Sequence, residues 1–160
     1  MIMKMNRGIL RIKLLVAVLL ATIVSNAQVT VSTSQLNGTE WQQESICVNG
    51  RIANDSNIIK TIKFDMTSYV SSTYYSRINK NSCLQYPYYI SDKEPSYTYF
   101  DSSKVGVNNV GKYIVYYNGK LNEVLYETII SFNDDEMVLF HKALDDYDVY
   151  ITYKRINKNE

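Results

Sequence analysis

One histidine, two prolines and two cysteines are all that this 160-residue chain has of three residue types that often carry chemistry or interrupt structure. The single histidine, His141, stands between Phe140 and Lys142 in an apolar stretch. With no second histidine and no serine or cysteine signature beside it, a catalytic triad is not supported. Cys47 and Cys83 do not form a Cys-x-x-Cys redox motif, and two thiols with one imidazole are too few for a structural metal site. Asp134-Asp135-Glu136 reads as a solvated hairpin turn, because calcium asks for about six to eight oxygens from a defined loop. Asp145, Asp146 and Asp148 are slightly better clustered, yet no metal and no cofactor is expected. Charge of one sign is lacking too. Internal repeats, low-complexity linkers and a second domain are absent from the sequence, as is any convincing amphipathic helix after the first 27 residues.

Long apolar runs are also scarce. The one at the N-terminus, Leu14 to Val24, is 11 residues, about half of what a membrane span needs. It follows Lys4, Arg7, Arg11 and Lys13 and precedes Ser25-Asn26-Ala27, with small side chains three positions and one position before Gln28. A basic region, a short apolar region and a small-x-small site are the parts of a secretory signal. Residues 1–27 are therefore expected to be a cleaved signal peptide, leaving no membrane span. No cysteine lies near the cleavage point, so a lipoprotein is not expected. The destination is periplasmic or extracellular. The remaining 133 of the 160 residues suit one domain and carry 13 of the 17 basic residues against all 16 acidic ones, a net charge of −3. That balance gives no reason to expect nucleic acid as a partner.

What the exported part does have is tyrosine, with all 15 lying after the signal. Tyrosine suits a pleated, half-buried surface. Residues 28–35 read as a flexible lead-in or a short strand, and residues 36–160 as one domain. Strands are expected at 41–48, 57–66, 69–75, 84–90, 113–117, 121–132, 137–144 and 147–156, with a short one at 97–100. In the second of these, Ile58, Ile62, Phe64 and Met66 share a face, broken only by Lys60. Pro87 marks an edge or a bulge. Asn118-Gly119 is a hairpin signal, since both residues accept positive φ. After it, Val124, Tyr126, Ile130 and Phe132 share a face, and later Val149, Ile151 and Tyr153 do. Eight or nine strands joined by short turns form an all-β, antiparallel up-and-down meander, which removes its edges by closing into a barrel. A sandwich is the competing architecture. Its immunoglobulin form needs a Trp between the two cysteines, and Trp41 precedes both.

An exported domain meets an oxidising compartment, so a Cys47–Cys83 disulfide is expected, with two buried free thiols as the alternative. Closing that 36-residue separation is worth about 3–4 kcal/mol.

Leu36-Asn37-Gly38-Thr39-Glu40-Trp41 resembles the first strand of lipocalin-like (calycin) domains, and Tyr150-Ile151-Thr152-Tyr153-Lys154-Arg155 resembles their last. The resemblance implies a lipocalin-like barrel closed by Arg155 packed over Trp41. The stretches Ser91-Asp92, Phe100-Asp101, Lys104-Val105-Gly106 and Gly111-Lys112-Tyr113-Ile114 are similar to small secreted lipocalin-like proteins of the Bacteroides type. So are Ile129-Ile130-Ser131-Phe132 and Asp135-Glu136-Met137-Val138-Leu139. It implies little about function. The expectation is an exported, non-enzymatic protein that binds a small apolar or glycan ligand in the barrel. The candidate lining is Tyr74, Tyr75, Tyr86, Tyr88 and Tyr89, although adjacent tyrosines point to opposite faces of a strand. The alternative is a structural or protein-interaction module of the cell envelope with a filled barrel. The expected partner is thus an unidentified small molecule or an envelope protein.

Overall fold

The computed structural model describes residues 29–142 and 147–156; the segment expected to be a signal peptide and the acids Asp145 and Asp146 lie outside them. The chain runs β1 (Val31–Ser32), a helical turn α1 (Thr33–Leu36), β2 (Glu40–Val48), β3 (Arg51–Ile52), β4 (Ile58–Phe64) and β5 (Ser68–Tyr75). It continues through β6 (Lys80–Ser91), β7 (Val110–Gly111), β8 (Tyr113–Asn118), β9 (Glu123–Phe132), β10 (Glu136–Lys142) and β11 (Asp148–Arg155). The large sheet has the order β11-β10-β9-β8-β6-β5-β4-β2-β3, and β11 pairs back onto β2. Eight antiparallel strands thereby close an up-and-down barrel, with β3 as an extra strand. The meander and its closure are as the alternating sequence requires, and the sandwich is excluded. Residues 97–100 form no strand, and no helix among the described residues is long and apolar enough to cross a membrane.

The segment anticipated as a lead-in or short strand contains both β1 and a capped helical turn. Ser32 accepts from the Gln35 backbone N–H (3.2 Å), while the Gln35 side chain accepts from the Ser32 N–H (2.8 Å). This reciprocal cap fixes the chain so that Val31 and Leu36 enter the barrel core fully buried. β1 pairs with β7, and at Gly111 the backbone of Ser91, the last residue of β6, leaves no room for a Cβ.

Two β-bulges set which side chains face inward. Ser131 pairs with Val138 but Ile129 with Leu139, so Ile130 is an extra residue in β9. It stands out into solvent, 44% exposed. The expected face Val124–Tyr126–Ile130–Phe132 is therefore split. Val124 and Tyr126 lie outside, in a small cluster with Tyr89, Val115 and Phe100 under the 92–109 loop, while Phe132 packs on the inner core. Likewise Glu44 is an extra residue in β2 between the pairs Ser45–Thr152 and Gln43–Tyr153. A bulge adds one residue to one strand and reverses the inside–outside alternation beyond it.

Of the three Asn-Gly pairs, Asn49-Gly50 and Asn118-Gly119 lie in strand-to-strand hairpins and behave differently. The tight turn falls on Asn49-Gly50, both at positive φ (47° and 76°), between the partners Val48 and Arg51. The β8–β9 hairpin is present as expected, but Asn118 pairs with Glu123, leaving a four-residue loop. There Asn122 takes the positive φ (55°) and accepts from the Tyr117 hydroxyl at 2.7 Å.

Candidate functional site at the open end of the barrel

One end of the barrel is packed shut. Trp41, Phe64, Tyr88, Ile90, Met137 and Leu36 are fully buried there. The Trp41 indole N–H donates to Thr39 Oγ1 (2.8 Å), and Arg155 lies over its ring with the guanidinium carbon 5.7 Å from the centroid. Trp41 and Arg155 are also register partners across the β2–β11 seam. The pair stands where the resemblance implied a closure.

The other end is different. Ile62 and Phe64 face the core, so strand alternation turns Ile58 and Lys60 to the same inner face. By the same rule Tyr75 follows Tyr69, and Leu84 precedes Tyr86 and Tyr88. Yet Ile58, Tyr75 and Leu84 are 40%, 38% and 39% exposed. Inner-facing side chains that meet solvent to this extent mark an open mouth.

A break between β6 and β8 widens it. N–H groups of an antiparallel strand point alternately to its two neighbours. Tyr88 donates toward β5, to the Thr67 carbonyl (3.4 Å), so position 87 faces β8. Proline has no N–H to give there, and the β6–β8 ladder ends at Tyr88–Tyr116. Pro87 thus makes a local edge within an internal strand. Beyond it lies an open cleft of about 610 Å³ lined by residues 83–87 and 117–121.

Tyr86 belongs both to this cleft and to a tyrosine cluster at the floor of the mouth. Ring centroids of Tyr69, Tyr86 and Tyr116 are 5.1–6.2 Å apart, each in contact with the other two. Among them is Glu127, which faces inward from β9 two residues before the core residue Ile129. Glu127 is buried, and among the described residues its Oε2 has no hydrogen-bond partner; neither has the buried Tyr153 hydroxyl. Burial pushes the Glu127 carboxyl above its ordinary range, against the opposing pull of the Lys60 and His141 charges. Burial first, and then the Glu127 charge, push the Tyr69, Tyr116 and Tyr153 hydroxyls well above the usual tyrosine value. These hydroxyls are neutral donors at any physiological pH. A buried carboxyl oxygen without a partner thus lies beside neutral hydroxyls, under a rim of inner-facing side chains that meet solvent.

No family model, curated protein or solved structure matches this chain.

Of the five tyrosines singled out in the sequence, Tyr75 and Tyr86 open on the mouth. Tyr88 faces inward but is sealed in the shut end, with its hydroxyl unpartnered and pushed up by burial. Tyr74 and Tyr89 face outward. Tyr74 donates to Asn79 Oδ1 (3.2 Å), and Tyr89 packs on Phe100 with centroids 5.2 Å apart. Tyr69, Tyr116, Tyr153 and Glu127 were not singled out. The signal for Glu127 was a carboxylate alternating with Leu125 and Ile129. It was masked because the bulge at Ile130 made the opposite face look continuous.

The expected disulfide is absent. Cys47 and Cys83 are both free, half-buried and exposed respectively. Cys47 pairs with Tyr150 and Cys83 with Ser72, and β4 and β5 lie between their strands. Three inter-strand steps of about 4.8 Å far exceed the ~7 Å Cα limit for a bridge. Both thiols sit on the outer face, Cys83 accepting from the Ser72 hydroxyl at 3.6 Å. Asp134-Asp135-Glu136 is a turn, with Asn133 Oδ1 accepting from the backbones of Asp135 and Glu136, and Glu136 bound to Lys154 Nζ at 2.8 Å. No group of three or more His, Cys, Asp or Glu residues among the described residues is placed to hold a metal ion.

Proposed function

We propose that this is an exported, non-enzymatic binding protein of lipocalin-like build that takes a small ligand into the open end of its barrel. The observation that carries the reading is Glu127, buried with Oε2 unpartnered among tyrosines, beneath inner-facing side chains that meet solvent. Ile58, Leu84 and Tyr75 offer the rim on which an apolar group or a sugar ring rests. The floor fixes its polar end. Export is supported by the basic, apolar and small-x-small pattern of residues 1–27. A binding role suits the groups at the floor, which are tyrosines, a carboxylate, a lysine and one histidine. The two thiols, the strongest nucleophiles of the chain, lie on the outer face away from them.

The test is mass spectrometry of protein produced with its signal in an exporting host. A denatured chain starting at Gln28, and a native species carrying a reproducible extra small mass, are expected. The same processed chain with no added mass and resistance to every small probe would remove the binding reading. Weight would then pass to an envelope interaction module, whose contact surface would include the exposed Tyr97, Tyr99 and Leu121.

A further inference from the structure

Resting on that reading, we infer that the ligand carries a positively charged nitrogen, a small organic ammonium seated between the Glu127 carboxylate and the faces of the Tyr69–Tyr86–Tyr116 cluster.

Three observations converge. First, Oε2 of Glu127 is buried with no hydrogen-bond partner among the described residues, and a carboxylate paired with a cation there would only accept hydrogen bonds. A buried acceptor in that state is strongly favoured by an N–H donor, most of all a charged one. Second, aromatic faces carry negative potential, and a cation within about 6 Å of a ring centroid is attracted to it. The three mutually touching rings make one aromatic wall rather than an isolated side chain. Third, the wall reaches the outside, because Tyr86 also lines the cleft opened by Pro87.

The charged and titratable groups facing Glu127 are Lys60, His141, Tyr69, Tyr116 and Tyr153. Neither Lys60 nor His141 hydrogen-bonds Oε2, so among the described residues no basic side chain occupies that oxygen. Lys60 is the competitor that an incoming ammonium meets. Its half-buried position on the inner face of β4 allows its flexible stem to carry the charge outward when the site is filled.

The experiment is calorimetric titration of the processed, exported protein at neutral pH with four probes: benzylamine, benzyl alcohol, benzoate and glucose. Benzylamine is expected to bind at least tenfold tighter than benzyl alcohol. Glu127→Gln is expected to abolish that preference, bringing benzylamine to no more than the affinity of benzyl alcohol. Lys60→Met is expected to tighten benzylamine several-fold, a gain that a misfolded variant cannot produce. Preference for benzoate or glucose would overturn the ammonium inference and leave the binding site standing. Equal binding of benzylamine and its alcohol would do the same. Indifference to all four probes would remove the site itself.

Discussion

The two ends of this barrel are made from the same eight strands and differ in what their inner faces carry. At the shut end, Phe64 touches Tyr69 and Tyr88 with centroids 5.3 and 5.4 Å away, and Trp41 touches Phe132 at 5.7 Å. At the open end the same alternation delivers Lys60, Leu84, Tyr116, Glu127 and His141. The contrast teaches that inward orientation, set by pleat and register, is distinct from burial. Closure of the sheet guarantees the first. Only a plug, here α1 with Leu36 and Val31, secures the second.

The contrast should break most visibly under truncation. Phe64→Ala at the shut end should cost about 3–5 kcal/mol, read from urea unfolding midpoints. A loss below about 1 kcal/mol would mean that this end is not packed as described. Glu127→Met should act in the opposite direction, raising stability by about 1–4 kcal/mol, because an apolar side chain of similar volume removes a buried, unpartnered carboxylate. The gain should come with loss of ligand binding, as expected where a site is held at the expense of stability.

Acid titration should sharpen the same difference. Glu127 sits above its ordinary value of 4.5, so it contributes stability below that value, lost as pH rises through its raised one. Asp65, in the β4–β5 turn, works the other way. Partial burial pushes its carboxyl up, but hydrogen bonds from Ser68 and Thr67 outweigh this and hold it below 3.8. Its contribution is present above that value and lost as pH falls. Unfolding midpoints measured from pH 3 to 8 should show Glu127→Gln gaining on the parent as pH rises, and Asp65→Asn gaining as it falls. Parallel profiles for parent and Glu127→Gln would show that the carboxyl has an ordinary environment. The smallest effect belongs to Leu84→Ser, within about 0.5 kcal/mol despite its inward orientation, because the side chain already meets solvent. A loss like that of Phe64→Ala would mean that the mouth is filled.

Much of the barrel was legible because its strands alternate cleanly. In β11, Val149, Ile151 and Tyr153 face inward as their spacing requires, the last two buried and Val149 packed against the core. The cap at Ser32–Gln35 was also written in the chain, as a Ser-x-x-Gln pattern, but four residues give too little periodicity to draw notice. What escaped depends on geometry between strands. A disulfide is a statement about distance across the sheet, and spacing along the chain does not contain it. Between Asn49-Gly50 and Asn118-Gly119, the choice of tight turn depends on how far the following strand extends before pairing. The site escaped for a third reason. Glu127 gains its character from Tyr69, Tyr116 and Tyr153 on three other strands, and no local window holds all four.

The extra residue at Ile130 acts as a shift of reading frame along β9. Upstream, Leu125, Glu127 and Ile129 are in the inward frame; downstream, Phe132 is. Without it one strand would have to choose. Keeping Phe132 against Trp41 would turn Glu127 out to water, and keeping Glu127 inside would expel Phe132. A single inserted residue lets one ten-residue strand serve both the shut end and the open mouth. Deleting Ile130 is therefore a request to the fold to give up one of them.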